Sequence, residues 1–272
     1  MNDTVEVLDK AGEEYWTKVW KHTELPSPIN IHSNNINEYP YKVLHKFYMD
    51  LFKDNETKGK LLLEIGCGNS VFMSYFAKEF GFNVAGLDYS ELGCEQSKRI
   101  LQRDGLTGEI YYSDFFSPPT KLLSKFDVVC SFGVVEHFDD TSRVLEIFSR
   151  FLKPGGILIT SVPNLVGVTG FLQKKMNKPV YDIHVAMDKT NLEKAIEQAH
   201  LKLLKSKYFL SVSFAVTLEG KKGKIPFLSF KKFFLKTIRY GSKIVWLFEN
   251  IFGSLPERKL LSGGIITAAK KT

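Results

Sequence analysis

Cysteine is scarce in this chain: Cys67, Cys94 and Cys130 are the only three in 272 residues. The number is odd, there is no C-x-x-C, and no histidine pair stands at ligand spacing beside them. Such a set excludes a disulfide framework and does not suggest zinc, so a reducing cytoplasm is the expected home. No run of about 18 uncharged apolar residues occurs. The start, Met1-Asn-Asp-Thr-Val-Glu, is acidic where a secretory leader would be basic and then apolar. Neither export by that route nor a membrane span is expected. With 10 Pro and 20 Gly, no repeat and no biased segment, collagen-like and disordered classes are excluded as well.

What is present is an ordinary globular composition, 44% hydrophobic and 25% charged, long enough for one large domain with an insertion. The formal charge of +7 is unevenly placed. Residues 201–272 hold 15 Lys and Arg against Glu219, Glu249 and Glu257, whereas residues 1–200 hold 22 basic and 27 acidic side chains. Any anionic partner is therefore met by the last quarter of the chain.

Short apolar runs at Leu61–Ile65, Asn83–Leu87, Glu109–Tyr112, Phe126–Ser131 and Ile157–Val162 read as buried strands. Helical patterns separate them: Phe72, Phe76 and Phe80 lie four apart, and Val144, Ile147, Phe148 and Phe151 share one face. Lys153-Pro154-Gly155-Gly156 is expected to stop the second of these helices and turn the chain into the next strand. A helix over Asn191–His200, a sixth strand within Leu201–Val216 and a last strand over Gly263–Ala269 complete an α/β pattern, a parallel sheet covered on both faces.

The loop Glu64-Ile65-Gly66-Cys67-Gly68-Asn69-Ser70 follows the first strand. Glycines two apart allow a tight turn and a close ligand, and Asn69 or Ser70 can cap the next helix. The third glycine of a dinucleotide fingerprint is replaced by Val71. Glu64 would repel a pyrophosphate but attract an ammonium or sulfonium. Asp88 ends the second strand, where a carboxylate can accept from both ribose hydroxyls. Asp114, followed by Phe115 and Phe116, can accept from an adenine amine while a ring covers the base. Asp127 opens a strand instead, which places it at the opposite sheet edge in a structural role.

The set E-x-G-x-G at Glu64 to Gly68, Asp88, Ser113-Asp114-Phe115, Phe126-Asp127-Val128-Val129, Glu136-His137 and Leu152-Lys153-Pro154-Gly155-Gly156 resembles the class I S-adenosylmethionine-dependent methyltransferases over residues 59–165. The resemblance implies a Rossmann-like, doubly wound seven-stranded sheet of order 3-2-1-4-5-7-6 with the last strand antiparallel. It implies S-adenosyl-L-methionine as cofactor, held by Glu64, Gly66, Cys67, Gly68, Asp88, Tyr89, Asp114, Phe115 and Ser131. More narrowly, Ser161-Val162-Pro163-Asn164, Gly170-Phe171-Leu172-Gln173 and Asp182-Ile183-His184 are similar to bacterial quinone- and glycan-modifying members.

An alcohol acceptor must lose a proton, and His137 and His184 lie in loops that this topology turns toward the crevice. They are the candidate catalytic bases, with Asp182 placed to orient His184; structural roles compete for both. Glu136, His137, Asp139 and Asp140 are consecutive enough to point apart, so no metal is expected.

Residues 1–58, with Tyr15, Trp16, Trp20, Tyr39 and Tyr41, are read as a helical N-terminal lid, 59–218 as the core, 219–258 as a basic aromatic helical insertion and 259–272 as the last core strand. On a helical reading of the insertion, Phe227, Phe230, Phe234, Ile238, Val245, Phe248 and Phe252 share one face and Lys232, Lys236, Arg239 and Lys243 the other, with Gly241 as a dividing point. Such a helix suits an anionic membrane surface or a lipid-linked acceptor, or else packs its rings on the core. Nucleic acid is not favoured, because rings and lysines segregate. The expected activity is O-methylation of a small hydroxylated metabolite, a sugar or glycan precursor before a quinone. N-methylation, a non-catalytic adenosine-binding membrane adapter and a nicotinamide-dependent reductase stand as alternatives.

Overall fold

Leu62 and Leu63 point to opposite faces of one strand, and both are fully buried; a strand of this kind needs cover on both sides. The computed structural model describes residues 7–218 and 228–272. In chain order it contains α1 (Glu13–Trp20), α2 (Tyr39–Phe52), β1 (Leu61–Ile65), α3 (Phe72–Phe80), β2 (Asn83–Asp88), α4 (Glu91–Arg103), β3 (Gly108–Tyr112), β4 (Phe126–Phe132), α5 (Thr141–Ser149), β5 (Leu152–Pro163), α6 (Val168–Met176), α7 (Lys178–Asp182), α8 (Lys189–Gln198), β6 (Leu201–Phe209), α9 (Leu228–Phe252) and β7 (Gly264–Lys271).

The seven strands form one sheet of order β3-β2-β1-β4-β5-β7-β6, with β7 antiparallel to both neighbours. This is the expected doubly wound topology. On one face Leu63, Ile65 and Val129 of the sheet pack with Phe148 of α5 and Ile196 of α8. On the other, Leu62 and Val128 of the sheet pack with Tyr48 of α2 and Phe76 of α3. Helix starts are secured by side chains: Ser90 accepts from Gly93 N, Asp140 from Arg143 N, and Asp188 with Asn191 forms a reciprocal capping box over α8.

Several elements differ from the sequence expectation. Lys153-Pro154-Gly155-Gly156 does not precede β5 but lies inside it, as an irregularity between the pairs Phe126–Leu152 and Val128–Ile157. The sequence reading assigns no helix to residues 164–187, where α6 and α7 form. The sixth strand does form within the expected stretch, as β6 over Leu201–Phe209. Gly241 does not divide α9, which runs unbroken for 25 residues. The acidic start Met1–Glu6, the insertion's first residues from Glu219 and the apolar position Phe227 lie outside the described residues.

Asp127 has the structural place expected of it. Its Oδ2 accepts from Leu61 N at 2.9 Å and its carboxylate pairs with Lys153 Nζ, so it ties β4 to β1 and to β5 at the edge away from the glycine loop.

Candidate active site

The ends of β1, β2 and β4 open onto a cavity of about 410 Å³ whose walls include Gly66, Leu87, Asp88, Tyr89, Phe115, Phe132, Gly133, Val134 and His137. That volume lies within the range of small-molecule sites. Gly66 has φ +72°, and a β-carbon there would lie 2.5 Å from Val134 Cγ2, so both conformation and space demand glycine. Asp88 is almost fully buried; its Oδ2 accepts from Gly68 N and its Oδ1 from Ser90 N, both at 2.8 Å. Burial raises its carboxyl to about 6 against the lowering effect of these bonds.

Glu64, two residues before Gly66 on β1, is almost fully buried and does not line the cavity, and its Oε2 has no hydrogen-bond partner. Burial pushes its carboxyl up to about 8. A buried acceptor in this state is completed by a donor or a positive charge brought in by a ligand.

Other expected cofactor residues are placed differently. Cys67 is fully buried and turns into the core, where a β-carbon on Gly86 would meet its Sγ at 2.6 Å. Ser131 is also fully buried, and the next two residues, Phe132 and Gly133, face the cavity instead. Gly68 is covered by Trp20. Asp114 is exposed, accepts from Phe116 N at 2.9 Å, and borders a second cavity that shares Asp9, Tyr89, Phe115 and Phe138 with the first. The three acids therefore do not converge on one chamber: Asp88 lines the first, Asp114 opens on its neighbour, and Glu64 lines neither.

The N-terminal arm supplies much of the roof. Trp16 and Trp20 stack at 5.4 Å and both line the cavity. Thr17 Oγ1 lies 3.0 Å from Ser90 Oγ, and Gln96 donates to Trp20 O, which fixes α1 on α4. Asp9 Oδ2 accepts from the Tyr89 hydroxyl at 3.0 Å, and Lys10 Nζ donates to His184 O. Nothing in the local sequence around Asp9 marked it as part of the site.

His137 follows β4 in a short 3-10 turn and reaches the cavity wall with 4% exposure. Its Nδ1 stands 2.9 Å from Ile183 O, and its ring lies 4.5 Å from that of His184. His184 Nδ1 stands 2.6 Å from Val180 O. Asp182 does not orient His184 as expected; it is paired with Lys178 one turn back. Burial, reinforced by His184, lowers His137 to about 4, and burial also lowers His184. Both rings are thus neutral at physiological pH, and a neutral imidazole facing a carbonyl through Nδ1 carries its proton there, leaving Nε2 as an acceptor. Glu136 beside them has a buried, unpartnered Oε2 and is raised to about 8 by burial. One ligand atom each from Glu136, His137 and His184 lies within 4.8 Å of the others, a cluster in which the imidazole Nε2 atoms can receive a hydroxyl proton while the raised Glu136 carboxyl keeps its own at neutral pH. The sequence reading, which grouped Glu136 with Asp139 and Asp140, did not bring His184 to it.

Comparison with known proteins places this geometry. A family model described as a methyltransferase domain matches residues 36–206. The ubiquinone biosynthesis O-methyltransferase of Dinoroseobacter shibae is 27% identical over 211 residues, which cover 73% of this chain and 82% of that protein. The enzyme of the same name from Actinobacillus pleuropneumoniae is 29% identical over 131 residues, 46% of this chain and 56% of that one, so the match spans little more than half of that relative. In fold, the chain is similar to geranyl diphosphate C-methyltransferase from Streptomyces coelicolor A3(2), solved with Mg2+, geranyl diphosphate and S-adenosyl-L-homocysteine, with TM-score 0.57 and 15% identity over 96% of this chain and 98% of that one. It is also similar to phosphoethanolamine N-methyltransferase 2 from Haemonchus contortus, solved with S-adenosyl-L-methionine, with TM-score 0.57 and 17% identity over 96% of this chain and 57% of that one. With the sheet order, the glycine turn and the acid ending β2 already in place, the chain belongs to the class I S-adenosylmethionine-dependent methyltransferases.

Proposed function

We propose that this methyltransferase acts on an oxygen of a small, flat hydroxylated acceptor, with His137 taking the acceptor's proton. The observation that carries the reading is a neutral histidine on the cavity wall whose Nδ1 faces the Ile183 carbonyl. S-adenosylmethionine supplies an activated methyl group and loses its positive charge on transfer. The chain's own task is to align the acceptor, exclude water and receive a proton. In this reading Asp88 accepts from ribose hydroxyls and the buried oxygen of Glu64 answers the cationic end. Tyr89 and Phe115 flank the adenine, with Asp114 at its edge. Trp16 and Trp20 form a lid that keeps water from the transfer. His137 Nε2 accepts the hydroxyl proton, and the neutral His184 ring 4.5 Å away is a second acceptor beside it.

The walls favour a flat aromatic acceptor over the sugar expected from sequence. Trp16, Tyr41, Phe72, Phe132 and Phe138 all line the cavity, and Phe72 and Phe132 lie 4.1 Å apart; rings of this kind hold planar apolar groups better than polyols. The relatives named for ubiquinone biosynthesis point the same way. To test the reading, labelled S-adenosylmethionine is offered with polyhydroxybenzenes, sugar nucleotides and amines, and the products are read by mass spectrometry. An aromatic methyl ether is expected. A labelled sugar or amine as the sole product overturns the acceptor assignment.

A further inference from the structure

Helix α9 is held to the body along one side only. Trp246 Nε1 donates to Val212 O at 2.8 Å and its ring stacks on Tyr39 at 6.1 Å. Arg239 donates to Val216 O, and Leu235, Ser242 and Glu249 are buried. At 100° per residue the three buried side chains occupy an arc of about 40°.

The side turned away from the body is apolar and uncovered. Phe230, Phe233, Tyr240, Ile244, Leu247, Phe248, Ile251 and Phe252 are all exposed, Phe233, Ile244 and Phe252 by 69%, 70% and 72%. These eight fall within an arc of about 140°, roughly opposite the buried one. Lys232, Lys236, Arg239 and Lys243 fall in an adjoining arc of about 60°. This corrects the expected division of the helix: Phe234, Ile238 and Val245 are half-buried at its flank, and Phe233, Ile244, Leu247 and Ile251 take their place on the exposed stripe. The helix holds five Lys and Arg and a single acid, Glu249, which is buried.

A continuous apolar stripe beside a row of cations, with no exposed acid, is complementary to an anionic lipid surface, where rings enter the acyl boundary and ammonium groups meet phosphates. At about 1.5 Å per residue α9 is about 37 Å long, a length typical of helices that lie in the interface plane. Among the described residues no helix is long and apolar enough to cross a membrane. We infer that α9 docks this enzyme peripherally on anionic bilayers through the Phe233–Ile244–Phe248 stripe, with Lys232, Lys236 and Lys243 engaging lipid phosphates. Tyr39 stacks on α9 while Tyr41, two residues on, lines the cavity, so α2 touches both the docking helix and the chamber.

The test is flotation of the full chain with vesicles of phosphatidylcholine alone or with about 30% phosphatidylglycerol, at physiological salt. The protein is expected to float with the anionic vesicles and to stay behind with the neutral ones. Phe233→Ser with Ile244→Ser and Phe248→Ser is expected to abolish flotation with the circular dichroism spectrum unchanged. Lys232→Glu with Lys236→Glu, at exposed positions that tolerate exchange, is expected to weaken partitioning at least about fivefold per charge. Absence of the wild-type chain from the anionic float overturns the inference. So does a wild-type dimer that Phe233→Ser, Ile244→Ser and Phe248→Ser turn into monomers without any lipid binding, since the stripe would then belong to a second copy.

Discussion

Trp20 lies directly over Gly68: a β-carbon on that glycine would come within 2.8 Å of the indole. Gly68→Ala is therefore expected to push α1 from its bed and to weaken S-adenosylmethionine binding about tenfold, a shift of about 1.4 kcal/mol. In a Trp20→Ala background the same change has no ring to displace and is expected to be nearly silent. Calorimetry on the four proteins of this cycle measures the coupling. Equal losses in both backgrounds would show that the contact does not shape the cofactor site.

His137→Gln is expected to lower kcat by about a hundredfold to ten-thousandfold, the range for a lost general base, with cofactor affinity retained. His184→Ala, one ring further from the cavity, should cost less. Because burial holds His137 near 4, the wild-type rate is expected to be flat through neutrality and to fall only in acid. Turnover is also expected to survive a strong chelator. Loss with chelator and recovery on adding a divalent cation would reassign Glu136, His137 and His184 to a metal.

Glu64 is held near 8 by burial and is protonated in the free enzyme at neutral pH. A cationic ligand stabilises its carboxylate, so cofactor binding at pH 7 is expected to release a proton. Titration calorimetry in two buffers of different ionisation enthalpy reads that proton, and Glu64→Gln is expected to remove it. Heats that do not depend on the buffer would separate Glu64 from the cationic end.

Opposed linkages should appear in the pH dependence of stability. Glu136, raised from 4.5 to about 8, contributes stability that is complete below its unfolded value and is lost as pH rises through 8. His137, lowered from 6.5 to about 4, contributes stability present above 6.5 and lost as pH falls through 4. Glu136→Gln is therefore expected to leave Tm unchanged near pH 5 and to raise it by several degrees at pH 9, as read by differential scanning fluorimetry. A Tm difference that does not change with pH would contradict the assignment.

Asp127 offers a control at the far edge of the sheet. Removing the acceptor of Leu61 N and the partner of Lys153 with Asp127→Ala is expected to cost about 2 kcal/mol in denaturant unfolding while leaving KM for the cofactor unchanged. A change in KM of more than a few fold would mean that this edge communicates with the cavity.

The sheet was readable because its strands are short apolar runs between strong stop signals, and because Gly66 and Asp88 sit at strand ends, where local sequence dictates their place. Positions set by long-range packing were not readable. Ser131 and Phe132 are neighbours on β4, and sequence cannot say which faces the cavity. Asp114 is in the expected turn, yet its side chain bonds Phe116 N and opens on the adjoining cavity. Pro154 and Gly155 carry an ordinary turn chemistry, but the pairing of β4 with β5 absorbs them as an irregularity. Asp9 reaches Tyr89 across 80 residues of chain. The helical period of α9 was legible, but which arc met the body was decided by Trp246 and Tyr39, one of them two hundred residues away by order of magnitude.

β7 pairs Ala268 with Ile159 and, on its other side, Ala269 with Leu203. These partners are about a hundred and about seventy residues away along the chain, so the loop-closure entropy must be met before either ladder can form. The β1–β4 ladder, with Leu62 opposite Val128, closes about as much chain as the β6–β7 ladder, so the β5–β7 pairing is the one that closes a distinctly longer loop. Until β7 enters between β5 and β6, both of those strands present open edges on which a nascent chain can go astray.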